Sequence, residues 1–225
     1  GSFTLFNYVN INPSFNFTDR MYSNKTLHSW NVATQKEESE QVNGFYNVYN
    51  WDLSLSASTK LYGMFLPNRK IFGDKIQAVR HVLSPQVSFS YAPDFGTSRY
   101  GYYATYQRTD PSGAVSLVEY SPFQNNLYSA PGRGKTGSVS FSLDNNIEMK
   151  IKSDKDSTGI KKISIIDNLG FRMSYNMAEK ERPWSDLGVN LRLKWWKNYT
   201  FNLDAVFASY AYELDAAGRP YVGTH

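Results

Sequence analysis

Two short segments resemble ligand-binding loops, and neither completes its motif. Gly134-Lys135-Thr136 is similar to the end of a phosphate-binding loop, but that loop needs a glycine where Ser129 stands and a helix directly afterwards. The segment 154–159 (DKDSTG) resembles the start of a calcium-binding loop, yet Ile165 occupies the position of the closing glutamate. We interpret the first segment as a basic, glycine-rich loop and the second as a hairpin turn.

No set of side chains has the spacing of a catalytic or metal site. The three histidines, His28, His81 and His225, lie far apart, and the chain contains no cysteine. The carboxylates lie on polar strand faces, where nothing marks a general acid–base pair. The sequence therefore predicts a protein that is not an enzyme and that carries no cofactor or metal ion.

The side chains best suited to bind a ligand are cations that alternate with apolar residues along the chain. In an extended strand such cations lie on one face, where they could make weak contacts with anionic sugars or phosphates. The alternative is that they pair with Asp and Glu on the same face and simply hydrate it. The residues concerned are Lys60, Lys150, Lys152, Arg172, Arg192 and Lys194.

The amino-acid composition and charge distribution exclude some classes of protein and favour another. The chain has 225 residues, a formal net charge of +4 and 16% aromatic residues, and its mean hydropathy is −0.51. Lys and Arg form no stripe of the kind that follows nucleic-acid phosphates. No window approaches the roughly 18 apolar residues of a membrane helix. A polar average with many aromatic residues and little helical pattern is typical of outer-membrane β-barrels.

Apolar and polar residues alternate with period two in seven runs, which predicts β-strands. Several runs reach the roughly 9–11 residues that a strand needs to cross a bilayer. We expect loops at 23–44 and 94–135, with a short extra strand possible at 115–123. The prediction is one all-β domain over residues 1–225, an antiparallel meander of long strands forming part of a transmembrane β-barrel wall. The runs lie at 9–18, 49–58, 81–91, 138–152, 168–177, 187–195 and 201–207.

Several segments resemble the LptD-type lipopolysaccharide-assembly proteins of the Gram-negative outer membrane. The resemblance is clearest at 145–150 (NNIEMK), 156–159 (DSTG) and 162–164 (KIS). It covers nearly the whole chain, because further similar segments lie at 80–82 (RHV), 88–96 (SFSYAPDFG), 131–134 (PGRG) and 207–213 (FASYAYE).

The resemblance implies a large barrel that receives lipopolysaccharide from a periplasmic protein bridge and inserts it into the outer leaflet. It also implies a plug lipoprotein of the LptE type as a partner, with outer-membrane lipid around the barrel. Family members carry a periplasmic β-jellyroll and about two dozen barrel strands, near the upper end of the usual bacterial range. We therefore expect an internal barrel segment without the jellyroll and the lateral gate.

Two other functions fit the same alternation. A soluble extracellular β-sandwich could use exposed Tyr and Trp to bind glycans or mediate adhesion, and a small diffusion porin would share the barrel fold. A barrel wall predicts an accessible apolar face, with Ser140, Ser142, Ser174 and Asn190 on the other side. The residues expected on the apolar face are Phe141, Leu143, Phe171, Met173, Tyr175, Val189, Leu191, Leu193 and Leu203.

The strand register is predicted from the turn residues and from the requirement that apolar residues of neighbouring strands lie on the same face. A slip of one residue would exchange the two faces. A three-residue loop at 197–199 would pair Leu193 with Leu203 and Arg192 with Asp204. A type I turn at 156–159 would pair Asp156 with Ile160. Continuing from that turn, Asp154 would lie opposite Lys162 and Asp144 opposite Arg172.

Overall fold

The computed structural model describes residues 1–73, 75–153, 159–195 and 199–223. These residues form one helical turn, α1 (Arg69–Phe72), and a series of β-strands. The strands are β1 (Phe3–Leu5), β2 (Val9–Asn31), β3 (Lys36–Thr59), β4 (Leu61–Phe65), β5 (Ile76–Ala92), β6 (Ala104–Thr109), β7 (Val115–Tyr120), β8 (Thr136–Lys152), β9 (Ile160–Asn176), β10 (Leu187–Trp195), β11 (Tyr199–Phe207), β12 (Tyr212–Leu214) and β13 (Pro220–Val222).

The strands form one main sheet and two small hairpins. The main sheet has the order β1-β2-β3-β5-β8-β9-β10-β11, and β4 pairs with β5 beside this path. The hairpins are β6–β7 and β12–β13. Each strand pair with a defined register is antiparallel. The predicted all-β class and antiparallel meander are therefore confirmed.

The chain divides into two compact units. The first contains Gly1–Ser14, Ser54–Ser90 and Gly137–His225, and the second contains Phe15–Leu53 and Tyr91–Thr136. The first unit includes β8 to β11, whose paired strands position most of the predicted cations. The second unit consists of the β2–β3 hairpin from Phe15 to Leu53 together with the segment Tyr91–Thr136, which carries β6 and β7.

The expected loop at 23–44 is wrong, because β2 and β3 continue through it and leave only a short turn at 32–35. The Asn31 side chain closes this turn by accepting hydrogen bonds from the backbone N–H groups of Ala33 and Thr34, at 3.0 and 3.1 Å. Across the strands, His28 contacts Glu37, and Asn31 donates to Glu38. Both faces of this segment are polar, so alternation gave no sign of a strand.

The segment 94–135 is a loop with its own structure. The possible strand at 115–123 is confirmed as β7, but it pairs with β6 in a separate hairpin and not with the main sheet. At the turn of this hairpin, Asp110 accepts hydrogen bonds from Ser112 and from the backbone of Ala114. The hydrogen bond from the Ser112 side chain is the main reason that the pKa of Asp110 lies below its usual value.

Both predicted registers are wrong: by two residues between β10 and β11, and by four residues beside the β8–β9 turn and two further along these strands. Arg192 lies opposite Asn202 and not Asp204, and Leu193 lies opposite Phe201 and not Leu203. A shift of two keeps every side chain on its face, so alternation cannot detect it. The turn residues themselves, 154–158 and 196–198, lie outside the described residues, as does the predicted partner Asp154.

The β8–β9 hairpin contains a bulge, and the register error differs on its two sides. Arg172 lies opposite Ser142, Asp144 opposite Gly170, and Ile160 opposite Lys152. Between the pairs Asn145–Leu169 and Glu148–Ser164, β9 uses two more residues than β8. The bulge changes the register by two along the hairpin. The error is therefore four residues beside the turn, where Lys162 lies opposite Lys150 and not Asp154, and two residues beyond the bulge.

Two asparagines support the backbone at this bulge. Asn145 Nδ2 donates to the Leu169 carbonyl at 3.1 Å, and its Oδ1 lies 3.0 Å from His81 Nε2. Asn146 Nδ2 lies 2.9 Å from the Asp167 carbonyl and 3.4 Å from that of Ile166. A bulge leaves carbonyls out of the regular ladder, and these amides provide donors for them.

We expect Asn146→Asp to destabilise the sheet by about 1–3 kcal/mol, because it replaces the amide donor with a carboxylate that faces backbone carbonyls. Thermal unfolding in detergent micelles measures the loss. The control is Asn12→Asp on the exposed face of β2, which should unfold within about 0.5 kcal/mol of the original protein. Equal stability of the two variants would show that the bulge does not depend on this side chain.

Candidate functional site

Polar side chains of β8, β9 and β10 share one face of the first unit, here called the polar face (Ser140, Ser142, Asp144, Asn168, Arg172, Ser174, Asn190, Arg192 and Lys194). Arg172 Nη2 lies 3.5 Å from Asp144 Oδ1, and Nη1 donates to Asn190 Oδ1 at 2.8 Å. Asn168 donates to the same Asp144 oxygen at 3.1 Å. The carboxylate of Asp144 therefore balances Arg172 from a diagonal position rather than directly across the strands.

Asp167 provides the second counter-charge. Its Oδ2 lies 2.5 Å from Arg192 Nε, and its Oδ1 lies 3.0 Å from Lys194 Nζ. The Asp167 side chain is only 11% exposed, whereas Arg192 and Lys194 are about half exposed. Because Asp167 lies in the bulge, the irregular strand brings it and Asn168 to the same group of cations. Asp167 thus takes the role that the sequence assigned to Asp204.

A glycine makes room for this network. A Cβ atom built on Gly170 would meet the Oδ1 atoms of both Asn190 and Asp144. Gly170 lies opposite Asp144 on one side and opposite Asn190 on the other. The absence of a side chain at this buried position therefore allows both polar groups to approach Arg172.

The six predicted cations do not form one cluster. The structure brings Arg172, Arg192 and Lys194 together on β9 and β10, where each faces a carboxylate. Lys60 lies in the break between β3 and β4, and Lys152 pairs across the strands with Ile160. Lys150 lies directly opposite Lys162, a residue that the sequence analysis did not select.

The opposite face is apolar and uncovered. Phe141 lies opposite Met173, and Leu143 and Val189 both lie opposite Phe171. None of the nine residues expected on this face is buried, and Phe141 and Leu203 are 41% and 51% exposed. The strand order likewise contains no second large sheet in the described part of the chain. Only Phe141 and Leu203 are exposed and the other seven are half-buried, so the expectation of a largely accessible set is confirmed only in part.

In the second unit, Asp94 joins two of the segments that carry the resemblance. Its Oδ1 accepts hydrogen bonds from the backbone N–H of Gly96 at 2.7 Å and from that of Gly134 at 2.9 Å. A Cβ on Gly96 would lie 2.8 Å from Cγ of Arg133. The segments 88–96 and 131–134 therefore form one clasp that closes the intervening loop at its base.

Arg133 extends this clasp. Its guanidinium makes a two-point contact with the Glu119 carboxylate on β7 and lies over the Tyr103 ring, 4.3 Å from the centroid. The Tyr103 hydroxyl donates to the Pro131 carbonyl at 2.7 Å. Planar guanidinium groups suit both carboxylate pairing and aromatic stacking, so this one side chain ties the hairpin to the loop base.

Aromatic side chains form the core of the second unit. Val48, Phe95, Tyr102 and Phe123 are buried together. The Tyr102 hydroxyl donates to the Tyr49 carbonyl at 2.9 Å and accepts from the Tyr49 N–H at 2.8 Å. Burial raises the pKa of the Tyr102 phenol. A groove of about 350 Å³ beside this core is lined by Arg20, Asp52 and residues of the loop base.

Sequence reasoning missed most of these contacts because they depend on residues distant in the chain. One signal was available: the segments that resemble the family contain Asn145, Asn146, Asp94 and Arg133, which make the bulge and the clasp. In the described residues no group of three acidic or histidine side chains is placed to hold a metal ion. His225 lies outside the described residues.

The strand order, the uncovered apolar face and the ion-paired polar face define an all-β protein of the kind compatible with an outer-membrane β-barrel. A family model described as LptD protein matches residues 1–210. The chain therefore belongs to the LptD protein family. No curated protein and no solved structure matches the chain.

Membership of this family indicates involvement in lipopolysaccharide transport, with lipopolysaccharide as the bound molecule and the Gram-negative outer membrane as the location. The family is one of transport and assembly proteins and not of known enzymes. No helix of the described residues is long and apolar enough to cross a membrane.

We expect Asp167→Asn to lower the free energy of unfolding by about 1–3 kcal/mol, because it removes a charged acceptor that faces both Arg192 and Lys194. Asp204→Asn is the matched control, since Asp204 is exposed and has no ion pair among the described residues. It should change stability by less than about 0.5 kcal/mol. Unfolding in micelles compares the two, and a larger loss from Asp204→Asn would favour the register predicted from sequence.

We expect Asp94→Ala to loosen the loop between the two clasp segments, because two backbone N–H groups lose their acceptor. Limited proteolysis should cut this loop about tenfold faster, which corresponds to about 1.4 kcal/mol of local stability. Asp94→Asn keeps an acceptor oxygen and should give an intermediate rate. Identical cleavage of all three proteins would contradict the clasp.

Proposed function

We propose that this chain forms part of the wall of an outer-membrane β-barrel that inserts lipopolysaccharide into the outer leaflet. The observation that carries the proposal is the contrast between the two faces of β8, β9 and β10. The apolar face holds Phe141, Phe171 and Leu191 without any covering layer in the described residues. The polar face holds Arg172 and Arg192 with their carboxylates.

These two faces suit the transport of an amphiphile. The saccharide head of lipopolysaccharide is hydrated and needs a polar surface, whereas its acyl chains must reach lipid. Arg172, Arg192 and Lys194 are balanced by Asp144 and Asp167. A balanced surface contacts anionic groups weakly and releases them readily, as conduction requires. The proposed contacts of these three cations with the saccharide are therefore transient.

The proposal includes partners. A plug lipoprotein of the LptE type and a periplasmic protein bridge follow from the family resemblance, the bridge through parts other than this chain. That residues 1–225 form one segment of a larger barrel, with the jellyroll and lateral gate elsewhere, stays a prediction. The soluble sandwich is disfavoured by the uncovered apolar face, and the small porin by the family match.

Two charge insertions on neighbouring strands test the membrane orientation. Phe171→Lys places a charge on the apolar face, which costs about 2–4 kcal/mol at the bilayer midplane. Ser140→Lys places the same charge on the polar face and is the control. We expect the first variant to be depleted from the outer membrane and the second to accumulate normally. Equal accumulation of both would contradict the proposed orientation.

Depletion of the intact protein tests the transported substance. Newly made lipopolysaccharide should then fail to reach the cell surface, measured by its modification with a surface-acting enzyme, and expression of the Ser140→Lys variant should restore it. A porin would instead reduce the uptake of small solutes and leave surface lipopolysaccharide unchanged.

A further inference from the structure

Lys150 and Lys162 differ from the cations of β5, β9 and β10 that face carboxylates. They lie directly opposite each other on β8 and β9, where like charges destabilise a sheet. Arg80, Arg172, Arg192 and Lys194 each have a carboxylate within 3.5 Å. Among the described residues, neither Lys150 nor Lys162 has an ion pair. The sheet therefore contains two positive charges directly opposite each other, next to cations that are paired with carboxylates.

A small cavity lies beside this lysine pair. It measures about 110 Å³ and is lined by Met64, Ala78, Arg80, Glu148, Met149, Lys150 and Lys162. Glu148 is occupied by Arg80, with 2.6 Å between Oε2 and Nη2. These two charges cancel, so Lys150 and Lys162 give the cavity its positive charge. Pockets that enclose whole organic ligands measure about 300–1,000 Å³, so this cavity suits a single compact group.

The charge of the cavity favours an anion. Ala78 is buried at its wall, whereas Met64 is 66% exposed and both lysines are exposed. Because the site is open to water, the attraction for an anion comes from the two neighbouring positive charges and not from a low dielectric constant. Lysine binds phosphate as a point charge through its three N–H donors. A phosphate group between the two side chains would also remove their mutual repulsion.

We propose that Lys150 and Lys162 form a binding site for a phosphate-type oxyanion at this cavity, next to the charge-balanced Arg80–Glu148 pair. The oxyanion is either a phosphate carried by a lipid-linked saccharide or free phosphate. Arg172, Arg192 and Lys194 are excluded from this role because carboxylates already face them. The site does not depend on the proposed transport function, because free phosphate is one of its two candidate ligands.

The experiment measures binding to the full chain in detergent micelles by calorimetric titration. One probe is inorganic phosphate. The others are mixed micelles that contain either a bis-phosphorylated glucosamine-disaccharide lipid or the same lipid without its phosphates. A preference of about tenfold or more for the phosphorylated lipid over inorganic phosphate assigns the ligand to a lipid, and comparable affinities assign it to free phosphate.

A matched pair of double variants tests the residues. Lys150→Gln/Lys162→Gln removes both cavity charges, and we expect it to weaken binding of the phosphate-containing probes about 10- to 100-fold. Lys70→Gln/Lys161→Gln removes two positive charges whose side chains do not line the cavity. It should bind as the original protein does. Equal weakening by the two double variants, or no phosphate-dependent binding at all, would overturn the proposal.

Charge reversal separates binding from stability. Lys162→Glu creates an opposite-charge pair across the strands, so we expect a higher unfolding temperature together with loss of phosphate binding. A purely structural role for the pair predicts improved stability with unchanged binding, which would overturn the site. Phosphate binding by the Lys150→Gln/Lys162→Gln variant tests the site, whereas lipopolysaccharide delivery by the same variant tests the proposed transport function.

Discussion

Arg172, Arg192 and Lys194 have carboxylates within reach on neighbouring strands, and a bulge in β9 provides the most buried of these carboxylates. Two additional residues in β9 bring Asp167 beside Arg192 and Lys194. At the same irregularity, the Asn146 amide donates to the Asp167 carbonyl at 2.9 Å. Removing a partner from such a group leaves charges or carbonyls unpaired, which costs more than the pair itself contributes. The balanced polar face therefore depends on local backbone irregularity.

The segments that resemble the family have physical roles in this structure. Asn145 and Asn146 support the bulge, and Asp94 holds the two glycine-containing segments at the loop base. Ser209 donates to the Ser185 carbonyl at 2.7 Å and so attaches the end of β11 to the start of β10. These groups fix backbone geometry at points where the strands depart from regular pairing.

The predicted strand bounds are close where only one face is apolar, although β9 begins at Ile160 and not at residue 168. The bounds of β10 match the prediction at 187–195, and β8 differs by two residues at its start. Prediction failed at 23–44, because polar residues on both faces remove the alternation. It also failed at the register of Arg172 and Arg192, because a shift of two residues preserves every face. The contact between Asp94 and Gly134 depends on residues 40 positions apart, which no local pattern reveals.

We propose that alternate residues of the same strands face water and lipid. The chain contains no cysteine, so single cysteines can be placed at Ser140 and Ser142 and at Leu143 and Val189 in the intact protein in its membrane. A water-soluble maleimide should label the first two positions, and a fluorophore at the last two should be quenched by brominated lipid. Equal labelling at all four positions, or quenching at the serine positions, would contradict the account.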